Sequence, residues 1–159
     1  MRTRILLFVA FGAAVCAACF DPISIPACTA TTVTPVSTEG DTVTTNTGLR
    51  FIEGTAGSGV AVDWCHNIAV HYDAFLVDGT KFDSTRSDAA PLIFAPGLGA
   101  LIDGFEQGVI GVRTGGTRRL IIPPALGYGS EPRRDATGQV IIPGNSTLIY
   151  DIEVVQVGR

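Results

Sequence analysis

Val70-His71-Tyr72-Asp73-Ala74-Phe75-Leu76-Val77-Asp78-Gly79-Thr80-Lys81-Phe82-Asp83-Ser84 is the stretch that decides how this chain folds. Side chains alternate at period two through its first half, so Val70, Tyr72, Ala74 and Leu76 share the face that a half-buried strand turns to its core. Asp78-Gly79 then signals a tight hairpin, because both residues tolerate positive φ. The chain is expected to reverse there and to carry Phe82 and Asp83 on a sheet. A large aromatic beside a carboxylate on a rigid element suggests a site.

The composition frames that expectation. The 159 residues suffice for one domain with a real core and fall short of two. Eleven Lys and Arg against fifteen Asp and Glu leave a net charge of −4, and no basic run exists. Nucleic acid is therefore not an expected partner. Nineteen Gly, almost no Lys and the scarcity of long periodic helices mark a β-rich domain with many turns.

The N-terminus has the pattern of an export signal. Met1-Arg2-Thr3-Arg4 is basic, and Ile5 to Val15 is an apolar run well short of the ~20 residues of a spanning helix. Ala17-Ala18-Cys19 follows and resembles a bacterial lipobox, in which the Cys becomes a diacylated mature N-terminus; Cys16 stands where Leu is usual. Residues 1–18 are thus expected to be a signal peptide and Cys19 a lipidation site, with ordinary cleavage after Ala18 as the alternative. Cys28 and Cys65 then remain as an even pair in an oxidising compartment, either joined in a disulfide or present as two thiols. No CxxC lies outside the signal and His66 and His71 are the only imidazoles, so neither a metal nor another cofactor is expected. Residues 19–47, rich in Thr, Pro and Ser, are expected to form a tether or extended arm, with the compact domain at 48–159.

Within that domain, strands are expected at Leu49 to Glu53, Leu92 to Phe94, Thr117 to Ile122 and Leu148 to Val157. One short helix is expected from Leu101 to Ile110, weakened by Gly104 and Gly108. Several antiparallel strands with one short helix make an α+β domain, with the sheet wrapped around the helix.

Five motifs in order then carry a family resemblance: Val70-His71-Tyr72, Asp78 to Ser84, Ile102-Asp103-Gly104-Phe105-Glu106-Gln107-Gly108, Pro124-Ala125-Leu126-Gly127-Tyr128-Gly129 and Ile141-Ile142-Pro143. Together they resemble the FKBP-type peptidyl-prolyl isomerases over roughly the last two-thirds of the chain. The resemblance implies an antiparallel half-barrel curved around the helix, with an apolar cleft between them. Tyr72, Phe82 and Tyr150 would be its aromatics, Leu92, Leu101, Phe105 and Ile142 its floor and walls. Asp83, Tyr128 and the backbone N–H of Ile102 would act on the peptide: the first as a fixed charge beside the twisting carbonyl, the other two as anchoring donors. Phe105 stands where many members have Trp, Leu92 where many have Phe, and Tyr150 replaces a common Phe. Asp88 stands where the family places an Arg, so either Arg86 reaches in as a substitute partner for Asp83 or two carboxylates share the area.

The activity so implied is cis-trans isomerisation of X-Pro bonds in exported proteins, on the periplasmic or cell-envelope side, by a lipid-anchored monomer. Proline-containing segments would be its substrates, and macrolides further ligands. The alternative is a membrane-tethered chaperone or peptide-binding module of the same fold with little turnover. Beyond Tyr128, the loop Gly129 to Gln139 carries Arg133 and Arg134. It is either a solvated insertion or a device that biases the cleft toward acidic neighbours of proline.

Overall fold

The computed structural model describes residues 28, 30–39, 41–87 and 90–158. The expected signal at 1–18, Cys19 and Asp88 lie outside the described residues.

The opening stretch forms β4 (Ile68–Leu76) and β5 (Lys81–Ser84). Val70 and Ala74 are fully buried, and Tyr72 and Leu76 partly so, which is the face the alternation predicts. The reversal differs from a two-residue hairpin. Gly79 N–H donates to the Leu76 carbonyl at 3.0 Å and Leu76 N–H to the Thr80 carbonyl at 2.8 Å. Of the turn residues only Gly79 has positive φ, +88°. It is a three-residue loop, Val77-Asp78-Gly79, closed by a left-handed glycine. Just beyond it, Ala74 pairs with Asp83 but Phe75 pairs with Lys81, so Phe82 is an extra residue bulged out of the ladder.

β4 lies beside β10 (Leu148–Val157), whose Leu148, Tyr150, Ile152 and Val154 alternate inward and are all buried. On its other side β10 pairs with β7 (Thr117–Ile122), and β7 with β3 (Arg50–Glu53), every pairing being antiparallel. β5 and the short β6 (Leu92–Phe94) share the outer edge of β4.

The sheet continues upstream of residue 48, so the part of the expected tether or extended arm at 35–45 is corrected to two strands. β1 (Pro35–Glu39) pairs with β2 (Thr42–Thr45), and β2 with β3, extending the order to β1-β2-β3-β7-β10-β4-β5. The physical reason is that a Thr- and Val-rich run suits a pleated surface, and the free edge of β3 offers it a ladder. Cys28, still further upstream, is joined to Cys65 by a disulfide with Cα atoms 5.8 Å apart.

The one α-helix among the described residues, α1 (Asp103–Val109), is shorter than the expected 101–110, because Ile102 and Ile110 are both extended. Seven residues are too few to be helical alone, so packing must hold them. Gly104 and Gly108 are the reason packing can. A Cβ at Gly104 would lie 2.4 Å from Ile122 Cγ2, and one at Gly108 would lie 2.4 Å from Leu120 Cδ1. The helix backbone therefore rests directly on β7. Arg118, also on β7 and 7 % exposed, donates to the carbonyls of Gly108 at 2.7 Å and Ile110 at 2.9 Å. It caps the C-terminal end of α1, where a cation is favoured, and pairs with Glu53 on β3.

Helix propensity alone favours Ala over Gly by about 1 kcal/mol in a helix interior. Gly104→Ala is nevertheless expected to destabilise the fold by about 1–3 kcal/mol, through overpacking against Ile122. Denaturant unfolding followed by circular dichroism checks it, and a stabilised variant would contradict the close approach.

Candidate functional site

Between α1 and the concave face of the sheet lies a cleft of about 340 Å³ lined by Tyr72, Asp83, Leu92, Ala100, Leu101, Ile102, Phe105, Tyr128, Arg133 and Tyr150. Its floor is a cluster of rings. Phe105 from α1 meets Tyr150 of β10 at 5.1 Å between centroids and Tyr72 of β4 at 5.6 Å, both edge to face. Tyr72 and Tyr150 are 5.6 Å apart, and Phe94 of β6 backs Phe105 at 5.7 Å. Edge-to-face rings hold one another's orientation, so the floor is preformed.

Two predicted lining residues lie behind that surface. Phe82 is half-buried and stacks edge to face on Tyr150 at 5.9 Å, supporting the wall rather than forming it. Ile142, in β9 (Val140–Ile142), is 3 % exposed and belongs to the core beneath the cleft. Their motifs mark the right region, but which side chain comes to the surface depends on the bulge and on β9 packing.

Asp83 sits at the mouth. Its Oδ2 accepts a hydrogen bond from the Tyr72 hydroxyl at 2.7 Å, and its Oδ1 accepts from Ser84 N–H at 2.8 Å. Of the two arrangements expected for Arg86, the structure shows the one in which it does not reach Asp83. That guanidinium bonds Asp73 at 3.3 Å and Glu153 at 2.9 Å, residues whose places in β4 and β10 alternate with the cleft-facing ones. Lys81 and Ser84 also bond Asp73, and those two hydrogen bonds, Lys81 first, hold its carboxyl below the usual range. Among the described residues no cation pairs with Asp83.

Tyr150 carries a hydroxyl into an apolar floor and needs a partner there. It finds Tyr128: burial above all, then the nearby Tyr128 and Tyr72 and the hydrogen bond shared with Tyr128, raise the Tyr150 hydroxyl far above the ordinary phenol range. Tyr150 therefore keeps its proton throughout the neutral range. Tyr128 itself follows a single 3₁₀ turn at Pro124–Leu126.

The rim on the helix side is shaped by a residue that motif reading passed over. Glu106 is 5 % exposed, and its carboxylate accepts from the backbone N–H groups of Gly97 at 2.8 Å, Leu101 at 3.0 Å and Gly99 at 3.4 Å. It gathers the loop that carries Ala100, Leu101 and Ile102 onto the start of α1. Acids in a first helical turn are a helix-start signal, but a reach back to Gly97 depends on the path of the loop. No backbone carbonyl among the described residues accepts from Ile102 N–H. Of the two loop arginines, expected either in a solvated insertion or in a device that biases the cleft, Arg133 has its guanidinium over the Tyr128 ring, 5.0 Å from the centroid.

A protein-family model described as FKBP-type peptidyl-prolyl cis-trans isomerase matches residues 64–155. A curated relative, Photosynthetic NDH subunit of lumenal location 4, chloroplastic, from Arabidopsis thaliana, is 41% identical over 116 residues, covering 69% of this chain and 54% of its own. FK506-binding protein 2 of Dictyostelium discoideum is 44% identical over 88 residues, covering 55% and 62% respectively. The chain thus spans less than two thirds of the length of either relative. Among solved structures, FkpA from Escherichia coli superposes with a TM-score of 0.65 at 34% identity, covering 76% of this chain and 53% of that one.

Glu106→Gln replaces one acceptor oxygen by a donor and sets it against at least one part-buried backbone N–H of the loop, at a cost of about 1–3 kcal/mol. The variant is expected to unfold at lower denaturant and to bind ligand in the cleft more weakly, because the Ala100–Ile102 rim is no longer gathered. Unfolding curves and peptide-binding titrations check both effects.

Proposed function

The chain belongs to the FKBP-type peptidyl-prolyl cis-trans isomerase family, and we propose from that premise that it accelerates rotation about X-Pro bonds by enclosing proline in the aromatic cleft. The observation that carries this is the preformed floor of Tyr72, Phe105 and Tyr150, with a fixed carboxylate at its mouth and an open backbone donor at its rim.

The barrier to rotation is about 18–20 kcal/mol and comes from amide resonance. No bond to a leaving group breaks, so the chemistry asks for an environment rather than a nucleophile. The planar amide is more charge-separated than the twisted one, and an apolar cleft disfavours the planar form more. Ile102 N–H and the Tyr128 hydroxyl anchor the flanking peptide so that the twist occurs in one geometry. Tyr150, protonated and bonded to Tyr128, orients that hydroxyl. Asp83, held by Tyr72, contributes a fixed charge beside the carbonyl. Leu92 and Leu101 close the sides, and Phe82 and Ile142 support the floor from behind. The same cleft would take macrolides, a reading favoured by the name of the Dictyostelium relative, FK506-binding protein 2.

The setting proposed for this activity is outside the cytosol, on proline-containing segments of exported proteins. The succession of basic, apolar and small residues at 1–18 supports it, as does the Cys28–Cys65 disulfide. Lipidation at Cys19 would anchor the mature chain as a monomer at the cell envelope. Mass spectrometry of the mature protein is expected to find a diacylated Cys19 as its first residue; an unmodified Cys19 at that position would reject the anchor while leaving export intact.

A protease-coupled assay on proline peptides is expected to show turnover above the uncatalysed rate, and Asp83→Asn to lower kcat/KM by about tenfold, or roughly 1.4 kcal/mol. Background rates with retained peptide binding would instead favour the chaperone or binding module.

A further inference from the structure

We propose that Arg133 determines the specificity of the cleft by selecting peptides with a carboxylate side chain next to the proline; this rests on the cleft binding proline peptides at all. The loop that follows Tyr128 is not a shapeless insertion. Arg133 and Arg134 form β8 (Arg133–Arg134), which pairs with β9. Arg133 stands opposite Ile142, which is rooted in the core, so the base of this hairpin is fixed. Its tip is tied by Asp135, whose carboxylate accepts from Thr137 N–H at 2.8 Å, the Thr137 hydroxyl at 2.6 Å and Gln139 N–H at 3.0 Å.

That hairpin separates two arginines which the sequence places side by side. Arg134 turns back to its own loop and donates to the Gly138 carbonyl at 2.9 Å. Arg133 lines the cleft over the face of Tyr128. Its charge is not neutralised there. Arg86, Arg118 and Arg119 each pair with a carboxylate, whereas among the described residues Arg133 has neither an ion pair nor a side-chain hydrogen bond; Glu131, two residues away, does not engage it. The other formal charge of the cleft, Asp83, is already held by Tyr72 and Ser84. A bound peptide therefore meets a hydrogen-bonded carboxylate at one point of the lining and a guanidinium without an ion pair at another. Arg133 is exposed, so its charge is screened by salt but acts at low ionic strength, where it favours the complementary side chain while penalising a like one. Its planar fork suits a carboxylate.

The test uses the whole protein and labelled peptides that differ only in carrying Glu, Ala or Lys beside the proline, on one side or the other. Dissociation constants are measured at low ionic strength for the unaltered protein, Arg133→Glu and Arg134→Glu. The unaltered protein is expected to bind a Glu peptide about tenfold more tightly than its Lys counterpart. Arg133→Glu is expected to reverse that order, and Arg134→Glu to leave it in place. A Glu-to-Lys ratio that Arg133→Glu leaves within about twofold of its starting value overturns the proposal, as does an equal shift from Arg134→Glu. Turnover of the Ala peptide reports separately on isomerase activity. Reversed binding without turnover supports the arginine and rejects the enzyme, turnover with an unmoved ratio does the opposite, and no binding to any peptide rejects both.

Discussion

The closeness of α1 to β7 is the constraint on which the rest of the structure depends. Gly104 and Gly108 have no side chains between the helix backbone and the buried ends of Ile122 and Leu120. Contact at that distance supplies what a seven-residue helix lacks by itself. Arg118 reaches from the same strand to the last helical carbonyls and ties them to Glu53. The height of α1 above the sheet in turn fixes where Phe105 sits and how deep the cleft is. Glu106, one residue on, turns away from the rings and gathers the adjoining loop. One short helix thus sets the floor and one rim together.

The polar groups of the cleft form a graded series around that floor. Tyr150 lies deepest and shares a hydrogen bond with Tyr128, while Tyr72 spends its hydroxyl on Asp83. These groups are held by one another, in keeping with chemistry that needs a shaped surface. Asp83 first stood out as a carboxylate beside a large aromatic on a rigid element. In the fold it is a carboxylate with two donors, positioned by the strand and the tyrosine.

Much of this was legible in residue order. The alternation in Val70 to Leu76 and Leu148 to Val154 revealed β4 and β10, because a half-buried strand forces period two on its side chains. The motifs around Tyr72, Asp83, Ile102, Phe105 and Tyr128 marked residues that meet in one cleft. The Thr-rich run at 42–45 read as a tether because its stability comes from the edge of β3, a partner absent from its own sequence. The helix ends were overestimated for a related reason: apolar Leu101 and Ile102 fit a helical face equally well, and the Glu106 bond to Leu101 N–H belongs to the extended loop.

Sequence alone determined the central strands β3 to β7 and β10, the reversal at Gly79 and the family to which the cleft belongs, since these follow from local pattern and from motifs in register. Tertiary structure decided which neighbours face which way. Phe82 and Asp83 are adjacent, and a regular strand would send them to opposite faces. The bulge at Phe82 instead lets one brace Tyr150 while the other holds Tyr72. Arg133 and Arg134 are adjacent too, and pairing with β9 sends one over Tyr128 and the other back to Gly138. In both pairs the outcome was set by a ladder partner distant in the chain, and side-chain direction follows that register rather than the identity of the residue.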